Sequence, residues 1–358
     1  MACWFCGSQL ARAFPFGGPG LWGAWAWAGA LWVFPLLRVI LYRDRAGKVQ
    51  GLAYFLMGVG ATFFILLLLL RISGFLLAFI GYVWPLWAAW AVLAAAMLLC
   101  LWGWQTALGP ATLRQVRVPT AGLHPGLDGL RIVQISDLHV SHLIGTQQVP
   151  ELVAQVLALK PDLIAVTGDL TDGPRADLKE AVAPLAGLRA PLGVHYVTGN
   201  HEYFWGVDDW LEEFAGLGFE LLSNEHRSLD HKGAKLVVIG VNDPTALRMG
   251  RRDGPDLDKA QAGAPKADYT LFLAHQPQAY TLAEAAKADL FLAGHTHGGQ
   301  FFPFPVIVSL FHKYFRGLYH HKGSLWVYVH SGSGFWGPPN RLGVPPELAL
   351  LVLERTPS

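Results

Sequence analysis

Acidic residues are almost absent from the first third of this 358-residue chain, and this absence most constrains how the chain can fold. Residues 1–127 contain a single acidic residue, Asp44, together with ten of the 14 tryptophans. All 14 histidines lie at or after His124, and every other Asp or Glu lies at or after Asp128. This segregation excludes one uniform soluble domain and predicts two parts of different chemical character.

Three long apolar runs in the first part predict transmembrane helices. Leu21–Leu41 carries one charge, Arg38, whereas Gly51–Leu70 and Ser73–Trp104 carry none. About 20 apolar residues are enough to cross the hydrocarbon core of a bilayer. Soluble helices of this length rarely lack a polar face, so a buried soluble core is a poor alternative.

The third run leaves the number of crossings open. Ser73–Trp104 is either one long tilted helix or two shorter elements broken near Gly81 or Pro85. We therefore expect a membrane domain over residues 1–110 with three transmembrane helices, or four if the third run is broken.

Positive charge predicts on which side of the membrane the second part lies. The first loop and its flank carry four cations, whereas the second loop carries Arg71 alone. The segment after the last helix carries Arg114 and Arg117. With three crossings, the first loop and the C-terminal part share a side, and the positive-inside rule makes that side cytoplasmic. Four crossings would reverse this prediction.

The second part has the pattern of an α/β domain. Residues 111–129 contain Pro119, Pro125 and several glycines and are predicted to be a linker. Over residues 130–358, β-branched apolar runs alternate with helical periodicity, which predicts sheets covered by helices. The predicted helices are Val149–Leu159 and Asp177–Leu188. The predicted strands are Leu130–Ser136, Asp162–Val166, Val194–Val197, Lys235–Ile239, Tyr269–Leu273, Asp289–Ala293, Trp326–Val329 and Leu348–Leu353.

Five of these strands are followed within three residues by Asp, Asn or His. Ligand sites of α/β sheets gather beyond the carboxyl ends of strands, so these side chains are expected to meet at one edge. Carboxylate, imidazole and amide oxygen are ligands for Mn, Fe or Zn. Two such ions about 3.5–4 Å apart can hold a bridging hydroxide and clamp the attacking and leaving oxygens of a phosphoryl group. The candidate metal ligands are Asp137, His139, Asp169, Asn200, His275, His295 and His297.

Two pairs among these candidates have the same spacing. Asp137 and His139 are two residues apart, as are His295 and His297. On extended backbone, side chains two residues apart point the same way, so each pair is expected to face a metal together.

These motifs resemble the calcineurin-like metallophosphoesterases over roughly residues 130–353. The resemblance rests on Asp137-x-His139, Gly168-Asp169, Gly199-Asn200-His201-Glu202, His275 and Gly294-His295-x-His297. The tail, with His330-Ser-Gly-Ser-Gly334, resembles a membrane-linked bacterial branch that includes YkuE- and YaeI-type phosphodiesterases and some UDP-diacylglucosamine hydrolases. This branch implies an integral protein of the bacterial inner membrane.

The resemblance also implies a fold and a division of the ligands. The fold would be a four-layer αββα sandwich. One divalent ion would be held by Asp137, His139 and His297. The other would be held by Asn200, His275 and His295, with Asp169 bridging the two.

His201 is the candidate general acid. Leaving-group protonation needs a donor beside the metals but not bound to them, and His201 follows the candidate ligand Asn200 directly. Glu202 is expected to orient it.

Several functions agree with these features. We expect hydrolysis of a phosphodiester or pyrophosphate through a metal-bridged hydroxide. A lipid-linked substrate is a candidate because apolar segments, Phe301–Phe311 and Phe335–Trp336, follow the motifs, although ordinary packing would explain them too. A phosphomonoesterase would use the same site. A non-catalytic metal-binding or sensory membrane protein is the alternative of a different class, and His201 argues against it. The net charge of +1, without a basic cluster, gives no indication of a nucleic-acid partner.

Overall fold

The computed structural model describes residues 47–78, 85, 87–145 and 147–357. The first predicted membrane helix, Leu21–Leu41, lies outside these residues. The chain divides into two compact units. The first comprises Met1–Ala107 with Gly337–Leu342, and the second comprises Leu108–Trp336 with Gly343–Ser358.

Two long helices make up most of the first unit that the structure describes. Helix α1 spans Gly47–Ala78 and α2 spans Trp87–Leu108. Helix α1 continues through position 71, where we expected a loop, because apolar residues on both sides sustain the helix across a single arginine. The third apolar run, Ser73–Trp104, is divided between the two helices, since α1 ends at Ala78 and α2 begins at Trp87, near the predicted break at Pro85. Its first six residues belong to α1, and the rest lies mostly in α2.

The two helices pack through a small apolar contact and leave much apolar surface exposed. Phe63, Leu67 and Ala96 are buried in one cluster. Leu69 and Leu98, by contrast, are among the exposed large apolar residues. Two segments, Tyr54–Gly74 and Trp90–Leu108, are long and apolar enough to cross a membrane, by length and composition. In a bilayer, exposed leucines contact lipid chains that are as apolar as the leucines.

The second unit contains two six-stranded mixed sheets. The first has the order β1-β12-β2-β3-β4-β5, and the second has the order β10-β11-β9-β8-β7-β6. Strands β2 to β5 are parallel to one another, as are β7, β8, β9 and β11. The strands are β1 Thr112–Ala121, β2 Arg131–Ile135, β3 Leu163–Thr167, β4 Val194–Val197, β5 Glu220–Leu221, β6 Glu225–His231, β7 Ala234–Gly240, β8 Tyr269–Leu273, β9 Leu290–Ala293, β10 Gly317–His320, β11 Trp326–Val329 and β12 Glu347–Thr356.

Helices cover the outer faces of both sheets. Strand β8 shows the layering: Leu271 belongs to the core between the sheets, whereas Phe272 belongs to a second core with Ala283 of the helix Tyr280–Ala285. Because side chains alternate along a strand, a strand buried on both faces must lie between two layers. The predicted four-layer αββα sandwich is confirmed. The helices are α3 Gln148–Ala158, α4 Arg175–Val182, α5 Asn200–Phe204, α6 Val207–Gly216, α7 Thr245–Arg248, α8 Leu257–Gln261, α9 Tyr280–Ala285 and α10 Phe304–Phe311.

All eight predicted strands are present, and β1, β5, β6 and β10 are additions. Residues 111–129 were expected to be a linker, but Thr112–Ala121 pairs in parallel with β12 over its whole length. Strand β1 lies at the edge of its sheet, where the missing N–H of Pro119 is tolerated. The exposed polar residues of this strand concealed it in the sequence.

Candidate metal centre

The structure brings all seven predicted ligands together beyond the ends of β2, β3, β4, β8 and β9. The first group of three is Asp137, His139 and His297. Nε2 of His139 lies 3.0 Å from Nε2 of His297, which lies 3.4 Å from Oδ1 of Asp137. Three donor atoms at such separations, all on buried residues, are arranged as they would be around one cation.

The second group is Asp169, His275 and His295, with the amide oxygen of Asn200 beside them. Nε2 of His275 lies 3.1 Å from Oδ2 of Asp169 and 3.2 Å from Nδ1 of His295. Oδ1 of Asn200 lies 2.9 Å from Nδ1 of His295 and 3.1 Å from Nε2 of His275.

One carboxylate lies between the two groups. Oδ2 of Asp169 is 3.1 Å from Nε2 of His275 in the second group and 3.8 Å from Nε2 of His139 in the first. Asp169 is therefore within reach of donors in both groups.

The backbone that presents these donors is not extended, contrary to expectation. Five of the candidate ligands have a positive φ, which is uncommon outside glycine and clusters at functional sites. They account for half of the ten positive-φ non-glycine residues that the described ranges contain. Asp137 and His139 converge because both have left-handed backbone, and the same holds for His295 and His297. The five φ angles are 51° at Asp137, 50° at His139, 52° at Asp169, 71° at His295 and 50° at His297.

Hydrogen bonds between the two sheets orient the donors. The N–H of His295 donates to both carboxylate oxygens of Asp137, at 3.0 Å each. The ring of His275 donates from Nδ1 to the carbonyl of Thr167 at 2.8 Å, which directs Nε2 toward Asp169. A histidine held this way through one nitrogen is typical of a metal ligand that binds through the other.

The protonation states suit cation binding at most of these positions. Burial, and then the positive charge of a neighbouring histidine, lowers the pKa of His139 and of His295 to about 3, so both rings are neutral. Burial raises the pKa of Asp137 to about 6. Burial would also lower the pKa of His275, but the Asp169 carboxylate outweighs it and raises that pKa well above its ordinary value. A cation bound here would displace the proton of His275. Imidazole, carboxylate and amide oxygen together fit Mn, Fe or Zn.

The sequence predicted that Glu202 orients His201, and this prediction is wrong. Its buried carboxylate accepts hydrogen bonds from three backbone N–H groups: Asp169 at 3.0 Å, Leu170 at 2.8 Å and Gly199 at 2.8 Å. Glu202 therefore ties the segment after β3 to the segment after β4.

Asp172 takes the role that was expected of Glu202. Nδ1 of His201 donates to Oδ1 of Asp172 at 3.0 Å, and Nε1 of Trp205 donates to the same oxygen at 3.0 Å. Because Asp172 engages Nδ1, Nε2 is the ring atom of His201 left to donate a proton. Sequence reasoning missed Asp172, and its only signal was a position three residues after Asp169 in the same strand-end segment.

The charges around His201 favour its protonated form. Burial lowers the pKa of His201, but the carboxylates of Asp169 and Asp172 outweigh burial and raise it to about 9. The ring of His201 lies edge-on to that of His139, with centroids 4.6 Å apart. A protonated imidazole therefore stands directly beside the first donor group.

We predict that Gly199→Ala disrupts metal binding. A Cβ at position 199 would lie 2.1 Å from Oδ1 of Asp169, so the carboxylate or its loop would have to move. Elemental analysis after metal loading is expected to give about two divalent ions per wild-type chain and fewer for this variant. Gly216→Ala is the matched control, since a Cβ there meets nothing within 4 Å. Equal metal content in the two folded variants would contradict the prediction.

Comparison with known proteins agrees with this geometry. Residues 130–299 match the family model of the calcineurin-like phosphoesterases. A bovine (Bos taurus) "transmembrane protein with metallophosphoesterase domain" is 37% identical over 265 residues, covering 71% of this chain and 60% of that protein. An uncharacterized metallophosphoesterase of Aquifex aeolicus is 33% identical, covering 63% of this chain and 85% of its own. YkuE of Bacillus subtilis is 32% identical over 64% of this chain and 81% of its own.

The chain thus spans 60% of the length of the bovine relative and of a similar zebrafish (Danio rerio) protein, and more than four fifths of the two bacterial ones. The residues that the family model matches contain all the donors that meet in the structure. The chain belongs to the calcineurin-like metallophosphoesterase family, whose members are metal-dependent phosphoester hydrolases.

Proposed function

We propose that this chain is a membrane-anchored phosphoester hydrolase with two divalent ions, acting on a phosphodiester or pyrophosphate bond. The observation that carries the proposal is the carboxylate of Asp169 between two groups of nitrogen and oxygen donors. A single-ion site would need no shared ligand at this position.

The residues on either side of Asp169 would hold the ions. Asp137, His139 and His297 would bind one ion, whereas Asn200, His275 and His295 would bind the other. Ions bound there supply an activated water for attack at phosphorus and neutralise charge on the phosphoryl oxygens. Mn, Fe and Zn all suit this ligand set.

His201 would protonate the leaving oxygen. Its Nε2 is the ring atom not engaged by Asp172, and the carboxylates around it keep the ring protonated. A proton donor with its own orienting carboxylate has no use in metal storage or sensing. The His201–Asp172 pair therefore favours catalysis over a non-catalytic metal-binding protein.

The chain's own helices would anchor it in a bacterial inner membrane with the hydrolase domain in the cytoplasm. Helices α1 and α2 are apolar enough to cross, and Leu21–Leu41 would supply a third crossing. The cations from Arg38 to Lys48 precede α1 or lie in its first turn, which by the positive-inside rule is then the cytoplasmic end.

The function is tested with purified, metal-loaded protein on two phosphodiesters, one with an alkyl leaving group and one with a nitrophenyl leaving group. Wild type is expected to hydrolyse both when Mn, Fe or Zn is supplied. His201→Ala is expected to lose about 10²–10⁴-fold in kcat on the alkyl substrate, the usual contribution of general acid catalysis. The loss on the nitrophenyl substrate should be smaller, because that group departs as a stable anion.

Two results would contradict the role of His201. Equal losses on both substrates would indicate general damage to the site. Loss of bound metal in His201→Ala, measured by elemental analysis of the same sample, would make His201 a ligand or a structural residue.

We predict that Asp172→Asn shifts the alkaline limb of the kcat–pH profile to lower pH. The Asp172 carboxylate raises the pKa of His201, so its removal lowers that pKa, and the proton is lost at lower pH. A neighbouring opposite charge typically shifts a pKa by about 1–3 units, so a shift of roughly one unit or more is expected. Asp230→Asn is the control, since Asp230 is exposed and pairs with Lys235. An unmoved alkaline limb would contradict the pairing.

The topology is tested with a reporter fused after Ser358. A reporter active only in the cytoplasm is expected to give signal, whereas one active only outside it is expected to be silent. The opposite pattern would overturn the proposed side and, with it, an odd number of crossings.

A further inference from the structure

Helix α10, Phe304–Phe311, is apolar along its length and none of its residues is buried. Its sequence, Phe-Pro-Val-Ile-Val-Ser-Leu-Phe, contains no charged residue. Leu310 and Phe311 are 78% and 79% exposed, higher than any other large apolar residue that the structure describes. Val306 and Ile307 are also exposed. In water such a surface would be a contiguous apolar patch, which marks an interaction site.

Both ends of α10 lie at the metal centre. The helix begins five residues after Gly299, the last residue of the turn that contains His297. At its other end, the ring of His312 lies 6.4 Å from the ring of His295. The apolar helix is thus attached at each end to a segment that carries or contacts a candidate metal ligand.

Two exposed aromatic residues extend the apolar surface to the proton donor. The rings of Phe204 and Trp336 lie 5.4 Å and 6.0 Å from that of His201, and each is about half exposed. Trp336 is joined to the segment that leads into α10, because its N–H donates to Oε1 of Gln300 and its carbonyl accepts from Nε2 of Gln300, both at 2.9 Å. If His201 protonates the leaving oxygen, the leaving group lies among aromatic side chains.

We propose that α10, together with Phe204 and Trp336, docks onto the surface of a lipid bilayer, and that the phosphoester cleaved is carried by a membrane lipid. This inference rests on the proposed hydrolase function and names the substrate class of that site.

A bilayer fits this docking surface in length, polarity and charge. Eight helical residues span about 12 Å, too short to cross the hydrocarbon core and suited to lie in the interface. Exposed Lys313 is the second residue after the helix, where it would meet anionic headgroups. The same chain carries α1 and α2, two helices apolar enough to hold it at a membrane. If these helices anchor the chain, a bilayer is the apolar surface that is always near this domain.

The test compares two p-nitrophenyl phosphodiesters that differ only in acyl-chain length, and hence in membrane anchorage. One is soluble diacetylglyceryl p-nitrophenyl phosphate, and the other is dioleoylglyceryl p-nitrophenyl phosphate embedded in the bilayer. Full-length, metal-loaded protein is reconstituted in nanodiscs that contain anionic phospholipid. The variant is Leu310→Gln/Phe311→Gln, and the matched control is Leu247→Gln/Met249→Gln, which changes two equally apolar, exposed residues at α7.

In the α10 variant, the ratio of turnover on the lipid-borne substrate to turnover on the soluble one is expected to fall at least about tenfold. Burying one such apolar side chain in the bilayer strengthens membrane binding by about this factor. The control should keep the wild-type ratio. An unchanged ratio in the α10 variant would overturn the docking proposal while leaving the hydrolase function intact. Failure of wild type on both substrates would overturn the hydrolase function itself, and the inference with it.

The occupant of the surface is identified by photo-crosslinking. p-Benzoylphenylalanine replaces Phe311 in one sample and Met249 in the other, each in nanodiscs. Phospholipid adducts at position 311, with few at position 249, are expected. Adducts to a second copy of the chain, or to its own apolar helices, would overturn the proposal and identify what covers α10 instead.

Discussion

The candidate site depends on the buried carboxylate of Glu202, which joins two strand ends through backbone hydrogen bonds. Glu202 accepts three backbone N–H groups, from Asp169 and Leu170 after β3 and from Gly199 after β4. A typical hydrogen bond contributes about 0.5–1.5 kcal/mol to stability, and a buried N–H left without its acceptor costs about 1–3 kcal/mol. Glu202 thus holds the backbone of Asp169 and of Gly199, the residue before Asn200.

Four consecutive residues at the start of α5 serve four purposes. Gly199 has no side chain because Asp169 approaches it closely, and Asn200 supplies an oxygen beside His275 and His295. His201 points to Asp172, and Glu202 turns back to the backbone of the preceding strand end. Successive residues of a helix point about 100° apart, so one turn can direct three side chains to three different neighbours.

The parts of the fold predictable from sequence are those buried on both faces. Strands β2, β3, β8 and β9 are predominantly apolar because layers cover them on both sides, and each was recognised. The edge strand β6, Glu-His-Arg-Ser-Leu-Asp-His, has no apolar run that would predict a strand. It forms through its pairing with β7, which its own sequence does not reveal. Strand β1 was missed for the same reason.

A similar distinction separates the predicted and missed parts of the site. The candidate ligands could be found because each lies within four residues of the end of an apolar strand. Asp172 could not, because its role comes from a contact with His201, 29 residues away. The backbone at Asp137 and His139 was also mispredicted, since a spacing of two residues carries no information about φ.

The left-handed backbone at five candidate ligands has a consequence for how such a protein can change over time. A residue with a Cβ in this conformation is disfavoured by roughly 1 kcal/mol or more, although Asp and His tolerate it better than most. Five such positions together approach the net stability of an ordinary domain, about 5–15 kcal/mol. Exchanging any of these donors for glycine would relieve strain while removing a ligand. Selection for thermostability alone would therefore tend to erode the metal centre, and the donors persist only where activity is selected as well.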